Sequence, residues 1–310
     1  MTRPAMTAPA MKLLLLGGDG QVGFELRRAL APLGEVVVTT RGGTLADGGA
    51  CEALDLAQVD TIEQLLRRVR PDHVVNATAY TAVDRAETER ELAFTVNARA
   101  PGRLAELCAA DGIGLLHYST DYVFDGSGTR PYLDTDPTGP LGAYGESKLA
   151  GEQAIAASGA RHLILRTAWV YATRGGNFLR TMLRLGAERE ELRVVADQHG
   201  SPTPAWLLAD AAAQVLEQGI AESGVRHLVA AGQTSWHGFA EAIFDEAHAR
   251  GLIERKPRVL PITTAEYPTP ARRPAYSVLD SRHLQDEYGL TIPQWRDALR
   301  TTLDRDRPGA

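Results

Sequence analysis

Cysteine is rare in this chain: there are two among 310 residues, Cys51 and Cys108, and they lie far apart in the sequence. Neither has a partner at metal-ligand spacing, and one disulfide would be a poor framework for a chain of this size. The cysteine usage therefore argues against a disulfide scaffold and fits a reducing cytoplasm best.

An excess of basic residues and long apolar runs are missing as well. The chain has 33 Lys and Arg against 39 Asp and Glu, a formal net charge of −6 at pH 7. Because the charges are mixed along the chain, no basic face indicates nucleic acid and no polybasic run indicates a membrane surface. The longest apolar runs have the length of a strand, which argues against a membrane-spanning helix. Residues 1–10 lack the apolar core of a signal peptide, and we expect a disordered tail there, with Met11 as the natural start.

Hydrophobic residues make up 44% of the chain, enough for a large core in one big domain or two unequal ones. The predicted strands are 12–16, 35–40, 73–77, 113–118 and 162–166, and the helices between them are 22–33, 59–70, 92–110 and 145–157. This alternation predicts an α/β fold, a Rossmann-type doubly wound parallel sheet over residues 11–170. The alternation weakens beyond residue 171, and we expect residues 171–310 to form a smaller α/β domain that mainly binds substrate.

A glycine-rich turn separates the first predicted strand from the first helix. Gly17, Gly20 and Gly23 are spaced by three, and strand, glycine turn and helix in this order are the context of a dinucleotide fingerprint. Such a turn brings the backbone close to a pyrophosphate and aims helix N-terminal amides at the anion. We therefore predict a dinucleotide site; the alternative is a tight turn without a ligand.

The end of the second strand bears on the choice of cofactor. An NAD site usually has an acidic residue near this strand end, whereas an Arg can accept the 2′-phosphate of NADP. Here Thr40 is followed by Arg41, and no carboxylate appears before Asp47. The sequence thus favours NADPH and leaves NADH open; the alternative is that Arg41 is a solvated surface charge.

Two further stretches indicate acid–base chemistry. Ser119, Thr120 and Asp121 end the fourth predicted strand, and ligands of open α/β sheets bind at such carboxyl ends. Tyr144 and Lys148 are four residues apart and therefore share one helix face. A nearby ammonium lowers the pKa of a phenol, so this set predicts proton delivery to a carbonyl oxygen.

Three weaker candidates lie elsewhere. The aromatic residue Trp169 follows the fifth strand, where it could stack on a base or sugar, or else belong to the core. Arg272 and Arg273 lie in the proline-rich segment 267–274, and a substrate diphosphate is the ligand that such arginines clamp; a salt-bridged surface loop is the alternative. Asn97, inside the helix predicted for 92–110, is a weak site candidate, and the charged stretch 84–91 is interpreted as a solvated face.

Taken together, these motifs resemble those of the extended short-chain dehydrogenase/reductases, and more closely those of the dTDP-4-dehydrorhamnose reductase family. The likeness is carried by the segments 17–26, 76–84, 118–124, 144–152, 166–171, 197–203 and 267–274 and covers nearly the whole chain from Met11. The resemblance implies NADPH-dependent reduction of the C4 keto group of dTDP-4-dehydro-L-rhamnose to dTDP-L-rhamnose, a precursor of cell-surface polysaccharide.

The resemblance also implies roles for individual residues. The cofactor would contact Gly20, Gln21 and Val22 at its pyrophosphate, Asp55 and Leu56 at its adenine end, Ala79, Tyr80 and Thr81 at its middle, and also Tyr118. Thr120 would polarise the C4 carbonyl, Tyr144 would donate the proton, and Lys148 would bind the nicotinamide ribose and lower the pKa of Tyr144. Asp121 and Trp169 would contact the nucleotide sugar.

Several points stay open at this stage. Some members of the family hold Mg²⁺ at a subunit contact, but the spacing of Glu25, Glu188, Glu190 and Glu191 defines no site, so no metal ligand is predicted. A homodimer is left open. The alternatives are a nucleotide-sugar epimerase or 4,6-dehydratase of the same superfamily and a non-catalytic regulatory subunit. In such dehydratases an Asp-Glu pair follows the catalytic Thr; here Tyr122 follows Asp121, and the intact Thr120, Tyr144 and Lys148 argue against a regulatory subunit.

Overall fold

The computed structural model describes residues 11–305, and the predicted disordered tail lies outside the described residues. Its centre is a seven-stranded sheet in which every neighbouring pair is parallel. The strands are β1 (Met11–Leu16), β2 (Gly34–Thr40), β3 (Glu52–Ala53), β4 (His73–Asn76), β5 (Gly114–Thr120), β6 (His162–Thr167) and, later in the chain, β11 (Gly224–His227). Strands β7 to β10, which lie between β6 and β11 in the sequence, belong to other sheets and are described below. Their order, β11-β6-β5-β4-β1-β2-β3, reverses direction between β1 and β4 and confirms the predicted Rossmann-type topology.

Both faces of this sheet are covered by helices, which explains the continuous apolar runs of its strands. In β1, Leu13 and Leu15 pack into one core and Leu14 and Leu16 into the other. The helices flanking the sheet are α1 (Gln21–Leu30), α2 (Thr61–Val69), α3 (Val83–Ala86), α4 (Arg90–Phe94), α5 (Ala100–Asp111), α6 (Ala143–Ala157), α8 (Ala205–Gln218) and α10 (Arg282–Tyr288). A 3₁₀ turn, Ala31–Leu33, ends the segment predicted as one helix over 22–33.

A separate core forms from residues that follow β6 in the chain. It is built around Tyr171, Phe239 and Trp295. The helices around it are α7 (Phe178–Glu188), α9 (Trp236–Ala249) and α11 (Trp295–Arg305), with the parallel strand pair β8 (Glu191–Val195) and β13 (Arg258–Ile262). Short strands complete it: β7 (Val170–Tyr171) pairs with β10 (Thr203–Pro204), and β9 (His199–Gly200) with β12 (Thr234–Ser235).

The chain beyond residue 171 contributes to both cores. Strand β11 extends the central sheet next to β6, and Leu208 and Leu216 of α8 pack into the same core as Leu26 of α1. The second half therefore supports the dinucleotide fold as well as its own core. Its assignment as a mainly substrate-binding domain remains a prediction.

The helix predicted over 92–110 is interrupted. After α4 the backbone widens into a π turn, Thr95–Arg99, before α5 begins. Pro101 has no N–H to offer the preceding turn, which favours such an irregularity at this point. The turn contains Asn97, and π turns of this kind often mark functional sites.

Within the described part of the chain, no helix is both long and apolar enough to cross a membrane.

Candidate active site

A cleft of about 710 Å³ opens along the carboxyl ends of the parallel strands. Most of the residues predicted to bind the cofactor line it: Gly17, Gly20, Gln21, Val22, Arg41, Asp55, Leu56, Ala79, Thr81, Tyr118, Tyr144 and Lys148. Gly23, Tyr80, Thr120, Asp121, Trp169, Arg272 and Arg273 do not line it, and their positions are described below. The cleft crosses the point between β1 and β4 where the strand order reverses, which is where such folds bind ligands.

The glycine turn forms one wall of the cleft. Gly17 has a φ of +86°, a conformation that residues with side chains rarely adopt. A Cβ at Gly23 would lie 2.0 Å from the carbonyl oxygen of Gly17, so only glycine lets helix α1 start this close to β1. Gly20 is the N-cap of α1, and no described side chain accepts a hydrogen bond from its first amides. These amides are therefore free to bind an anion, as a pyrophosphate site requires.

The far end of the cleft, lined by Arg41, Asp55 and Leu56, fits an adenosine moiety. The carboxylate of Asp55 accepts a hydrogen bond from the backbone amide of Ala57 at 3.0 Å, which fixes the turn beside the cleft. Arg41 is exposed, and among the described residues it has no hydrogen-bond or ion-pair partner. A free guanidinium at this end of the cleft is suited to a phosphate.

Asn97 holds the middle of the cleft in place. Its Oδ1 accepts from the backbone N–H of Tyr80 at 2.8 Å, and its Nδ2 donates to the Tyr80 carbonyl and to Ser147 Oγ at 3.1 and 3.0 Å. The π turn thus positions the loop that carries Ala79 and Thr81 against α6. The Tyr80 ring points elsewhere, because its hydroxyl donates to Glu89 at 2.6 Å. Asn97 therefore holds this loop through the backbone of Tyr80, not through its side chain.

Helix α6 brings Tyr144 and Lys148 under the end of β5. Its first amide, that of Ala143, donates to Glu87 Oε1 at 3.0 Å, so a carboxylate from the stretch 84–91 caps this helix. Lys148 is 1% exposed, and its Nζ donates to the carbonyl oxygen of Tyr118 at 2.7 Å. The interpretation of 84–91 as only a solvated face was wrong at Glu87, whose partner lies 56 residues away.

The pKa of Tyr144 differs from the prediction. Burial raises the pKa of the Tyr144 phenol to about 12, and the charge of Asp121 acts in the same direction. A hydrogen bond with Thr120 opposes the rise, which places the threonine hydroxyl beside the phenol. Burial also lowers the pKa of Lys148 to about 8. The phenol is therefore a donor that keeps its proton at neutral pH. The expected lowering of this pKa by Lys148 was wrong for this structure, in which burial sets the direction of the shift.

Asp121 lies next to the hydroxyl of Thr120. It is 2% exposed, accepts a hydrogen bond from Thr120 Oγ1 at 3.1 Å, and leaves its Oδ2 without a partner among the described residues. Burial raises the pKa of Asp121 to about 6, although the Ser277 and Thr120 hydroxyls lower it in part. The carboxylate thus accepts the hydroxyl hydrogen of Thr120 and orients it in this structure.

Trp169 adopts an unusual backbone conformation beyond the cleft. Its φ is +48°, and its indole stacks on Trp236 with ring centroids 3.5 Å apart and an interplanar angle of 7°. A Cβ at Gly200 would lie 2.5 Å from this indole, so the ring is packed on both sides. In this structure the tryptophan links β6 to the second core.

The two arginines of segment 267–274 have different surroundings. Arg273 forms a two-pronged ion pair with Asp84, through Nη2 at 2.9 Å and Nη1 at 3.1 Å. Arg272 is exposed and unpaired within the described ranges. The structure therefore differs from the predicted clamp of both arginines on a substrate diphosphate. Arg273 binds Asp84 in the first half of the chain instead.

The structure also places in the cleft residues to which the sequence gave no role there. Ser119, predicted at a strand end, lines the cleft from β5 and Thr167 from the adjacent β6, and the Oγ of Ser119 and the Oγ1 of Thr167 are buried without a partner among the described atoms. Gly175 and Gly176 line the mouth of the cleft, and Asn177 Nδ2 beside them donates to Gln21 Oε1 at 2.8 Å. The glycine pair after the fifth predicted strand is the sequence feature from which this cleft-lining loop could have been predicted.

Within residues 11–305 the structure gives no support for a metal site. No group of three or more His, Cys, Asp or Glu among residues 11–305 is arranged to hold an ion. The glutamates considered for Mg²⁺ instead face arginines: Glu25 faces Arg28, Glu188 faces Arg184, Glu190 faces Arg255 and Glu191 faces Arg258.

Comparison with known proteins agrees with this geometry. The family model described as RmlD substrate binding domain matches residues 11–307. A dTDP-4-dehydrorhamnose reductase of Burkholderia thailandensis is 48% identical over 93% of this chain and 97% of its own length. One from Escherichia coli K12 is 44% identical over 95% and 97%.

Solved structures give the same result. A dTDP-4-dehydrorhamnose reductase of Bacillus anthracis in complex with NADP superposes with a TM-score of 0.86 at 33% identity, covering 95% of this chain and 99% of that one. A UDP-glucose 4-epimerase of Thermus thermophilus in complex with NAD has a TM-score of 0.79 at 21% identity, covering 97% and 100%, which indicates the shared fold alone.

Proposed function

The chain belongs to the dTDP-4-dehydrorhamnose reductase family, and we propose that its cleft carries out the reaction for which those relatives are named. It is an NADPH-dependent oxidoreductase that reduces the C4 keto group of dTDP-4-dehydro-L-rhamnose to give dTDP-L-rhamnose. The observation that carries the assignment is the cleft itself, which joins a free helix N-terminus to the Tyr144 and Lys148 pair at one sheet edge.

The residues of the cleft fit NADPH. The uncapped amides at the start of α1 suit the pyrophosphate, and the unpaired Arg41 suits the 2′-phosphate. Two buried hydroxyls without partners, Ser119 and Thr167, are available to polar groups of the nicotinamide half. NADPH bound in this way supplies the hydride that adds to C4 of the sugar.

The chain's own side chains manage the charge that this addition creates. As the carbonyl oxygen becomes negative, Tyr144 transfers its phenolic proton to it. Thr120 donates a hydrogen bond to the same oxygen, for which its one hydroxyl hydrogen turns away from Asp121, its acceptor in this structure. Lys148, held by the Tyr118 carbonyl, places a positive charge on the helix face of Tyr144 and stabilises the phenolate that forms. A positioned general acid typically contributes roughly 10²–10⁴-fold to the rate.

The substrate side of the site is a further part of the proposal. Asp121 and Trp169 would meet the nucleotide sugar, and the unpaired Arg272 is the better candidate for its diphosphate, because Arg273 is occupied by Asp84. The free thiols of Cys51 and Cys108 support a reducing cytoplasm as the compartment. Homodimer formation is proposed without a supporting contact, and light scattering tests it.

No observation favours the alternatives. The second carboxylate of a dehydratase is replaced by Tyr122, whose ring packs edge-on against Tyr144 at 5.5 Å. A regulatory subunit needs no catalytic hydroxyl, phenol and ammonium in one cleft.

The test is to purify the protein, look for retained nucleotide, and then follow oxidation of added NADPH with dTDP-4-dehydro-L-rhamnose made in place. Stoichiometric NADPH oxidation with formation of dTDP-L-rhamnose is the expected result. Tightly bound NAD⁺ with no net consumption of NADPH would instead assign an epimerase, and no turnover would favour a regulatory subunit.

A further inference from the structure

A buried imidazole touches the catalytic lysine, and the mechanism above gives it no role. His117 has no exposed surface, and its Nε2 lies 3.2 Å from Lys148 Nζ. Its Nδ1 lies 3.1 Å from Nδ2 of Asn76, the residue paired with it across β4 and β5. The imidazole is therefore enclosed between an amide and the amine of the active site.

The orientation of the Asn76 amide is fixed from its other side. Its Oδ1 accepts hydrogen bonds from both the backbone N–H and the hydroxyl of Thr78, the former at 3.1 Å. A backbone N–H cannot accept, so the oxygen must face Thr78 and the NH₂ group must face His117. Nδ1 of the imidazole is consequently an acceptor.

The tautomer of His117 follows from this orientation. A neutral imidazole has one N–H, and since Nδ1 accepts, the proton lies on Nε2. That N–H points at Lys148 Nζ. An ammonium has no lone pair with which to accept it, whereas a neutral amine has one and can still donate to Tyr118. The network is satisfied when Lys148 is neutral.

The charged form of Lys148 has a cost in this network. Either two donors face each other at 3.2 Å, or Nε2 becomes the acceptor and Asn76 must turn its oxygen to His117. In the second case the backbone N–H of Thr78 loses its partner. Burial of a donor without a partner is unfavourable, so both arrangements oppose the ammonium.

We propose that His117 is a positioning residue which, held in its Nε2–H tautomer by Asn76, favours transfer of a proton from Lys148 to the Tyr144 phenolate after each reduction. In this step one N–H bond of the ammonium breaks and the phenol O–H forms again. The ammonium becomes an amine, which takes up a proton from solvent in the cleft that Lys148 lines before the next turnover, and no electrons are exchanged. The proposal rests on the reductase function described above.

Other groups facing Lys148 do not account for the effect. Glu152 on α6 favours the ammonium, but its own carboxylate is engaged by Arg166 through three hydrogen bonds. The charge of Asp121 raises the pKa of Tyr144 rather than that of Lys148. Burial lowers the pKa of Lys148 to about 8. Burial first, and the charge of Lys148 second, lower the pKa of His117 well below its usual value, so His117 stays neutral.

The first test is the pH dependence of kcat. In the wild type, kcat should fall as pH rises through the pKa of Lys148. His117→Leu keeps the site apolar and removes the opposing N–H, so the alkaline limb should move upward by about one pH unit. His162→Leu, a buried histidine on β6 whose Nδ1 contacts the Ala160 carbonyl, is the matched control and should leave the limb in place.

A second variant reverses the tautomer. Asn76→Asp offers only acceptors, so it forces the proton onto Nδ1 and makes Nε2 an acceptor for the ammonium. The alkaline limb should again move to higher pH. The shift caused by Asn76→Asp should be larger when His117 is present than when the change is combined with His117→Leu, where only the added charge acts. An alkaline limb that stays in place or moves downward in His117→Leu would overturn the proposal, because His117 would then be stabilising the ammonium.

Nitrogen NMR of the wild type, labelled at histidine and lysine, tests the proposal without any variant or substrate. A protonated Nε2 on His117 above the pKa of Lys148 is expected, and a protonated Nδ1 would overturn the inference. Because this measurement does not need turnover, its failure is distinguishable from failure of the reductase assignment.

Discussion

Arg273 donates to both carboxylate oxygens of Asp84, a residue 189 positions earlier in the chain. The arginine also donates to Thr269 and to the carbonyl of Ala271, and the backbone amide of Ala271 donates to Asp84 at 3.1 Å. This contact ties the segment 267–274 to α3. In the proposed function, the pair would position the substrate side of the site.

Asp84→Asn is expected to weaken this tie. Asp84 has 39% of its side chain exposed, so solvent screens the pair and the free energy of unfolding should fall by only about 1 kcal/mol. KM for the nucleotide sugar should rise several-fold while KM for NADPH does not change. Glu190→Gln, which removes the exposed contact with Arg255, is the control for loss of a surface pair and should change neither value. An unchanged KM for the sugar in Asp84→Asn would remove the positioning role.

Tyr144→Phe should reduce kcat by roughly 10²–10⁴-fold, because the phenol is the proton donor. Binding of NADPH, measured by fluorescence titration, should stay within about twofold, since the ring that lines the cleft is kept. Tyr288→Phe removes a phenol that is remote from the cleft, where it accepts from the amide of Ala221, and should keep normal turnover. Near-normal kcat in Tyr144→Phe is the outcome that would refute the assignment.

Asp121 should make the protein less stable as pH rises from 4 to 6. Its pKa is raised to about 6, above the unfolded value, so over this range the unfolded chain loses the proton while the folded chain retains it. The free energy of unfolding of Asp121→Asn should therefore be about 1–3 kcal/mol larger than that of the wild type at pH 8, and equal to it at pH 4.

Asp125 provides the opposite case. The stability of both variants is measured by urea titration at each pH. Hydrogen bonds from Ser127 lower its pKa, so its contribution to stability is present above the unfolded value and is lost as pH falls. Asp125→Asn should be less stable than the wild type at pH 8. If both variants change stability in the same direction, the electrostatic explanation is wrong.

Arg41→Ala should raise KM for NADPH by roughly 10–100-fold, the value of a charge-assisted contact with a phosphate. KM for NADH should stay nearly constant, because NADH has no 2′-phosphate. Arg67→Ala, an exposed arginine of α2 that contacts Glu63, controls for the loss of a surface charge. Equal losses with both cofactors would show that Arg41 does not read the phosphate.

The central sheet could be predicted from the sequence because its strands are apolar on both faces, as Leu13 to Leu16 illustrate. The Tyr144 and Lys148 pair was found for a similar reason, since both residues lie within two turns of one helix. Strand β13 was missed: Pro261 interrupts its pattern, and it is stabilised by pairing with β8, more than 60 residues away.

Contacts between distant residues explain the remaining differences. The partner of Arg273 and the cap that Glu87 provides both depend on tertiary packing, and neither sequence neighbourhood indicates them. The pKa of Tyr144 depends on how completely the cleft buries the ring. Local spacing identifies which groups meet, whereas burial decides their charge.

The most direct test of the reductase assignment follows the hydride. The protein is supplied with NADPH in which both hydrogens at C4 of the nicotinamide are deuterium, together with dTDP-4-dehydro-L-rhamnose, and the product is examined by NMR. The account predicts one deuterium at C4 of dTDP-L-rhamnose for each NADPH oxidised. Product without deuterium at C4, or no product at all, would contradict it.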